Sequence, residues 1–352
     1  LDETLNSELN IELLKRTPSS YLGSCRYKLP KPEAGNEVYQ KAFELLEKHS
    51  IDVFVYIGGN DSMDTILKMS EYAKIIGSQI KFIGIPKTID NDLPITDHTP
   101  GFGSAAKYIA TSVSEIIRDS KVYDLKSVTF VEIMGRNAGW LTGAAALAKT
   151  EFNDGPDFIL LPEVPLDLKD FVQKLSHAVD EKGNIIVAVS EGVKDVTGKY
   201  LSEDESNIDA FGHKMLSGTA AYLARKIKKE LGVKTRAVEI NTMQRAAAHL
   251  QSKTDIDEAF NIGSLGVKAG VEGETGVMMN FERLENAPYL SVVKKCDINL
   301  VANIEKQIPK EWISEDGMGV NEKFIAYARP LIMGELSSIV CDGIQSHISS
   351  LK

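Results

Sequence analysis

Five short stretches of this sequence set ionisable side chains beside glycine, proline or other turn residues. They are Gly58-Gly59-Asn60-Asp61-Ser62, Pro86-Lys87-Thr88-Ile89-Asp90-Asn91-Asp92, Met134-Gly135-Arg136-Asn137, Pro162-Glu163 and Glu191-Gly192. In the first, paired glycines let the backbone approach a ligand, and the N–H groups that open a following helix attract phosphate. Asn60 and Asp61 add oxygens of the kind Mg2+ takes when it binds through few protein groups plus a substrate phosphate. In the second, Asp90 and Asp92 are two residues apart. They share a face if the segment is extended and need not if it turns. Two carboxylates divide phosphoryl transfer well, one taking the proton of the attacking hydroxyl and the other holding metal, while Lys87 neutralises phosphate charge.

An arginine directly behind a buried strand, such as Arg136, needs a bidentate anionic partner, either phosphate or carboxylate. Glu191 is an acceptor for a sugar hydroxyl. Plainer roles stand beside each of these. Residues 58–62 also suit a simple turn, 86–92 an Asp/Asn-rich turn, Arg136 a salt bridge to a protein acid, and Glu191 a helix cap. Arg236 and Arg245 flank a short run, Ala237–Gln244, with little apolar cover. Each either binds phosphate or is solvated.

The elements that must position these residues are legible as apolar, β-branched runs: Asp52–Ile57, Ile80–Ile85, Ser127–Ile133, Asp157–Leu161 and Asn184–Ser190. Most are apolar on both faces, as parallel strands covered by helices must be. Helical patterns separate them at Glu37–His49, Met63–Ile76, Ser104–Asp119 and Leu168–Glu181, with Ser104 able to cap its helix. Further helical patterns cover His213–Leu231, Asp255–Val267 behind Thr254, and Phe324–Ile339 but for Pro330; 277–312 is mixed. This alternation implies an open parallel sheet, and ligands bind such sheets at the carboxyl ends of the strands. All five motifs follow a strand. Gly101-Phe102-Gly103-Ser104-Ala105-Ala106 fits the dinucleotide pattern GxGxxA, yet Asp97-His98-Thr99-Pro100 precede it rather than a strand, so it suits close helix packing better.

Composition narrows the classes. The 352 residues carry 40 Lys+Arg against 50 Asp+Glu, a net charge of −10, which disfavours nucleic acid as the main partner. With 43% hydrophobic and 26% charged residues, the chain is an ordinary globular one of about two domains. Its apolar runs are far too short to span a bilayer. Three cysteines without a CxxC indicate neither a disulfide framework nor a zinc site and fit a cytoplasmic location. The six histidines show no metal-binding spacing, and each reads as structural or surface.

Together, the runs PKTIDND at 86–92 and MGRNAGW at 134–140, with GGND, EG, the Gln244-Arg245 pair and an early Gly23-Ser24-Cys25-Arg26-Tyr27, resemble the phosphofructokinase family. The resemblance runs from about residue 20 to the C-terminus. It implies two Rossmann-like three-layer αβα domains with mainly parallel sheets. A donor domain would comprise 1–121 plus about 246–280, a fructose 6-phosphate domain 122–245, and a C-terminal extension 281–352. It implies phosphoryl transfer to the 1-hydroxyl of fructose 6-phosphate with Mg2+. Asp61 and Lys87 stand where ATP users of the family carry glycine, which points to the pyrophosphate-dependent branch. The stretches Gln244–Ala259 and Val301–Ile313 resemble that branch too. By the same resemblance Asp90 is the general base, aided by Lys87 and Arg136, with Thr88 in support and Asp61 and Asp92 on metal. Met134, Gly135, Arg136, Glu191 and Arg245 hold the sugar phosphate. Arg236 reaches in from a neighbouring subunit, making a homodimer or homotetramer with shared sites. Arg26 and residues Gly58, Gly59, Asn60, Asp61 and Ser62, with Lys87, lie on pyrophosphate.

The sequence departs from the family in three ways. The opening strand and Gly-rich loop are absent before Leu1, which implies a truncated or nicked chain. Asn60 stands where many members have an acid. Thr242 replaces the usual aromatic or histidine before the Gln-Arg pair, and Lys126-Ser127 replace an arginine opening the third strand. Rival expectations are an ATP-dependent enzyme of the family, a kinase of the wider GGDG group acting on NAD or lipid, and a non-catalytic regulatory subunit that binds sugar phosphate.

Overall fold

The structure is a computed structural model that describes residues 7–25, 27–201 and 218–348. The elements in chain order are α1 (Glu8–Arg16), α2 (Glu37–Lys48), β1 (Val53–Gly58), α3 (Asn60–Ile76), β2 (Lys81–Pro86) and α4 (Phe102–Ser120). Then come β3 (Ser127–Ile133), α5 (Trp140–Gly143), β4 (Phe158–Leu160), α6 (Leu168–Lys182), β5 (Asn184–Ser190), α7 (Thr219–Leu231) and β6 (Lys234–Glu239). The chain ends with α8 (Lys253–Val271), β7 (Val277–Asn286), β8 (Tyr289–Asp297), α9 (Glu322–Ala328), β9 (Val340–Cys341) and β10 (Ile344–Gln345). Residues 213–217 of the expected His213–Leu231 helix, and Arg26, lie outside the described residues. Among the described residues, no helix is long and apolar enough to cross a membrane.

The chain divides into two compact units. One comprises residues 1–24, 103–254 and 307–352, and the other 25–102 and 255–306. The physical reason for this division lies in the contacts of α4 and β8. The α4 residue Ser104 accepts a hydrogen bond from Ser252 N–H (3.2 Å), and Lys107 Nζ donates to Gly334 O (2.6 Å), so α4 belongs with the C-terminal residues. β8 pairs antiparallel with β7 and so keeps the stretch through Asp297 with the second unit.

In the second unit the sheet order is β1-β2-β7-β8, with β1, β2 and β7 parallel and β8 antiparallel. Tyr39 and Phe43 of α2 and Met63, Ile66 and Tyr72 of α3 pack with Phe82 and Met278 on one side of it. Ile262 and Ala269 of α8 pack with Ile83, Ile85 and Met279 on the other. Asn36 caps α2 by accepting Val38 N–H, and Gly77 ends α3 in the left-handed conformation. In the first unit the parallel sheet runs β4-β5-β3-β6. Phe171, Leu175 and Val179 of α6, with Leu223 and Ile227 of α7, bury Val128, Phe130, Ile185 and Val187. Both units therefore have the expected α/β character.

The second unit also encloses a chain of charges. Arg283 donates to Asp97 Oδ2 through Nε (3.1 Å) and a terminal nitrogen (2.8 Å). Asp97 Oδ2 meets His98 Nδ1 at 2.8 Å, and His98 Nε2 meets Glu258 Oε2 at 2.7 Å. Glu258 accepts in turn from the Tyr289 and Ser291 hydroxyls. The His98 ring stacks on Phe281, with centroids 4.6 Å apart. Burial alone would lower the His98 pKa, but its two carboxylate partners outweigh it and raise the value. His98 is thus protonated in the folded state over a pH range where the unfolded chain has lost that proton. Its stabilisation is complete below the ordinary histidine value near 6.5 and is lost as pH rises through the raised folded value. His98→Gln should cost toward the lower end of about 3–5 kcal/mol, because the carboxylates keep their other donors. Thermal melts from pH 6 to 9 should show a shallower alkaline decline for this variant than for the natural chain. Parallel declines would refute the charged histidine.

Candidate active site

In the second unit, β1 and β2 run parallel with Gly58 opposite Pro86. Their carboxyl ends therefore deliver residues 59–62 and 87–92 side by side. Lys87 N–H donates to Gly58 O (2.9 Å), which joins the two loops at their base. α3 starts at Asn60, three residues before the expected Met63, with Gly59 as a cap that makes no side-chain bond. No side chain of Gly59 therefore caps the start of α3, an arrangement that leaves room for an anion at this helix end. Asp61 and Lys87 are both exposed at this end.

Not every motif residue serves as its type suggested. A Cβ on Gly58 would collide with Ser62 Oγ and reach Ser62 Cβ at 2.6 Å, whereas one on Gly59 would meet only ordinary contacts. Glycine at 58 therefore makes room for Ser62. Asn60 spends its amide on the backbone, Nδ2 donating to Ile304 O and Oδ1 accepting Asn303 N–H, each at 2.6 Å. Its side-chain oxygen is thereby committed to a protein donor rather than to a cation. Gly101 N–H donates to Asp255 Oδ1 (2.8 Å), so the GxGxxA stretch serves a protein acid.

The 86–92 motif turns rather than extending. Asn91 is left-handed, with φ 54°. Asp90 N–H donates to Thr88 Oγ1 (3.1 Å), and Thr88 Oγ1 lies 3.4 Å from Asp90 Oδ2. Thr99 fastens the turn by donating N–H to Asn91 Oδ1 (3.1 Å) and Oγ1 to Thr88 O (2.7 Å). Burial, and then the neighbouring Asp90 charge, push the Asp92 carboxyl up to about 6. Its Oδ1 is buried without a hydrogen-bond partner among the described residues. A hard cation would satisfy that oxygen, and an all-oxygen set with few protein ligands suits Mg2+. Among the described residues no group of three or more His, Cys, Asp or Glu side chains could hold a metal.

The first unit repeats the arrangement with β3 and β5, where Ile133 lies opposite Ser190. Their ends bring Met134, Gly135 and Glu191 together. Gly135 N–H donates to Glu191 Oε1 (3.3 Å), and Ser190 Oγ donates to Gly135 O (2.6 Å). Met134 N–H donates to the buried Gln244 Oε1 (3.2 Å), which makes the Gln of the Gln-Arg pair a support for the loop. Arg245 follows at the end of a short 3-10 helix, Asn241–Arg245, and is exposed. Arg136 Nε has no partner among the described residues, so no salt bridge consumes that nitrogen. Arg236 sits apart, in mid-strand on the edge strand β6, and pairs with Asp119 at 3.3 Å with both side chains exposed. Within one chain it does not join Met134 and Glu191.

Two acids here escaped the sequence reading of roles. Glu132 accepts Gly218 and Ala220 N–H groups at 3.1 and 2.8 Å and so caps α7. Glu163 accepts Gly139 and Ile308 N–H groups at 2.8 and 3.1 Å and anchors the MGRNAGW loop. Burial raises both carboxyl pKa values. The only available signal for Glu132 was an acid interrupting an apolar strand. Trp140 completes the anchoring by packing against Trp312, Phe324 and Tyr327.

Comparison with known proteins identifies the family. The family described as Phosphofructokinase matches residues 2–264. The chain is 41% identical over 352 residues to a pyrophosphate–fructose 6-phosphate 1-phosphotransferase of Xanthomonas campestris pv. campestris (strain B100), covering 99% of this chain and 84% of that protein. It is 41% identical over 337 residues to the protein of that name from Halomonas elongata, covering 95% and 80%. A crystal structure of a pyrophosphate-dependent phosphofructokinase from Nitrosospira multiformis superposes with a TM-score of 0.87 at 39% identity, covering 97% of this chain and 81% of that one. A family match over most of the sequence, with relatives 41% identical over nearly the whole chain and a shared fold of mainly parallel sheets, places this chain in the phosphofructokinase family.

Proposed function

We propose that the chain moves a phosphoryl group from pyrophosphate to the 1-hydroxyl of fructose 6-phosphate, giving fructose 1,6-bisphosphate and phosphate. The observation that carries this is the placement of Asp61, in the first turn of α3 behind β1, and Lys87, behind β2, on two segments joined at their base by the Lys87 N–H to Gly58 O bond. The relatives at 41% identity bear the name of that reaction. Two charged side chains fill the space that the rest of a nucleoside triphosphate would need, and Lys87 meets the charge of pyrophosphate. Asp90 takes the proton of the 1-hydroxyl, whose oxygen attacks the nearer phosphorus. The bridging P–O bond breaks and its electron pair leaves with phosphate. A carboxylate is a weak base, so most of the barrier falls through positioning and charge neutralisation, the latter from Lys87 and Arg136.

Asp61 and Asp92 would hold Mg2+, with Thr88 supporting the turn, and the bound ion would supply neutralisation of the charge that develops on the transferring phosphoryl group. Arg26, Gly58, Gly59 and Ser62 complete the donor side, to which Asn60 contributes its backbone. Met134, Gly135, Arg136, Glu191 and Arg245 take the sugar phosphate. The exposed Arg236 on an edge strand suits a residue lent to a second copy, which makes the working enzyme a homo-oligomer. A glycolytic role in the cytoplasm belongs to the same proposal.

The test is a coupled assay with fructose 6-phosphate, Mg2+ and either pyrophosphate or ATP. Turnover with pyrophosphate is expected. Turnover with ATP alone would overturn the donor assignment and keep the family. The double variant Asp61→Gly, Lys87→Gly should lose on the order of 100-fold or more in kcat/KM for pyrophosphate, as when a preorganised charge partner is removed. Unchanged pyrophosphate turnover in it would discard both residues as donor determinants.

A further inference from the structure

The two loops of the donor side diverge beyond their joined base. One enters α3 and the other turns at Asn91. The segment 303–306 touches both. At one end, Asn60 grips the backbone of Asn303 and Ile304 through its amide. Asn303 Nδ2 donates to Asp64 Oδ1 of α3 at 2.9 Å. At the other end, Lys306 N–H donates to Asp92 O at 2.7 Å. The Lys306 ammonium donates to Thr96 O at 3.1 Å and Asp97 O at 2.8 Å, and lies 3.4 Å from Asn91 Oδ1. The tip of the segment, Asn303, adopts φ 64°, as does Asn91 at 54°. Both positions suit asparagine, which tolerates the left-handed region better than most side chains.

We propose that residues 303–306 are a clasp that fixes the distance between the start of α3 and the Asp90–Asp92 turn. Asn60, Asn303 and Lys306 are then positioning residues for the donor and its metal. This rests on the two loops being the donor site, as proposed above. Phosphoryl transfer depends on placement, and an error of about 1 Å in a reacting group costs on the order of 100-fold. A strap held by backbone donors and acceptors, one asparagine amide and one lysine suppresses that error without touching the reacting atoms. It also explains asparagine at position 60: an acid there would accept from Asn303 N–H but would have nothing to donate to Ile304 O.

The experiment uses Lys306→Met and Asn303→Ala in the full chain, with hydrogen exchange on substrate-free protein and steady-state kinetics. Asn303 is exposed, so its variant folds even if the lysine variant does not. Weakening either end, by removing the Asn303 amide from Asp64 or the Lys306 ammonium from Thr96 and Asp97, should speed exchange in both loops, 60–63 and 88–92. The KM for pyrophosphate should rise about tenfold or more and kcat should fall, while the KM for fructose 6-phosphate stays constant. If each variant loosens only the loop it touches, the clasp is overturned. Coupled exchange in a chain that never uses pyrophosphate would uphold the clasp and overturn the donor assignment instead.

Discussion

Asp90→Ser is expected to lower turnover by about 10²–10⁴-fold, the usual contribution of a positioned proton acceptor, and to leave fructose 6-phosphate affinity unchanged. The substitution is mild toward the turn. Asp90 enters it through a backbone N–H bonded to Thr88 Oγ1, which serine retains. The other fastenings belong to Asn91, Thr99 and Lys306. The variant therefore removes the carboxylate, with its contact to Thr88 Oγ1, and keeps these backbone and neighbouring fastenings. It also removes a negative charge that helps raise the Asp92 pKa, so the Asp92 value should fall toward the ordinary carboxylate range. A chemical step limited by the base predicts a loss confined to kcat. Calorimetric titration with fructose 6-phosphate, beside the pyrophosphate assay, separates the cases. Equal turnover would remove Asp90 from the mechanism. A matching loss of sugar binding would show that the site had collapsed. A subunit that only binds sugar phosphate would register no change in either quantity.

The sequence is most legible where residue type depends on near neighbours. β3 and β5 are located to the residue because strands buried on both faces must be apolar throughout. The strand-end motifs follow from them, since a parallel sheet sends consecutive carboxyl ends to one edge. β6 escapes because only Thr235 and Val238 are half-buried, and Lys234, Arg236 and Glu239 read as loop. The β7–β8 pair escapes because β7 leaves the core after Phe281 and the pair continues as a ribbon that mixes half-buried with exposed residues. Helical patterning over 324–339 overruns because Pro330 converts α9 into a 3-10 turn at Arg329–Ile332. Roles set by distant partners are the least legible. Asn60 looks like a metal ligand until Asn303 and Ile304 are seen to occupy its amide. His98 looks solitary until Glu258, 160 residues on, closes on its ring. No local spacing encodes either contact.

Gly192→Ala is expected to damage the sugar side as severely as Asp90→Ser damages the chemistry, and by a different route. A Cβ at this position would penetrate the Arg136 carbonyl oxygen and lie 2.5 Å from its carbonyl carbon and 2.8 Å from its Cα. These are backbone atoms and cannot rotate aside. Nor is the loop slack: Ser190 Oγ donates to Gly135 O and accepts Gly192 N–H at 3.0 Å, so one hydroxyl pins both strands at the point of closest approach. Gly135 has φ 129°, a conformation that leaves other residues strained. Relief must therefore displace residues 135–136, 191–192 or both. Either displacement breaks the Gly135 N–H to Glu191 contact and swings the Arg136 guanidinium. The cost should be about 3 kcal/mol or more, at or beyond the upper end of overpacking because no side chain can yield. Fructose 6-phosphate affinity should fall with it. Gly263→Ala in α8 is the control, because its Cβ would meet nothing within 4 Å. It should stabilise by about 0.5–1 kcal/mol through helix propensity. A Gly192→Ala protein that melts and binds sugar phosphate like the natural chain would show that the two strand ends do not approach this closely, and the sugar side would have to be assembled differently.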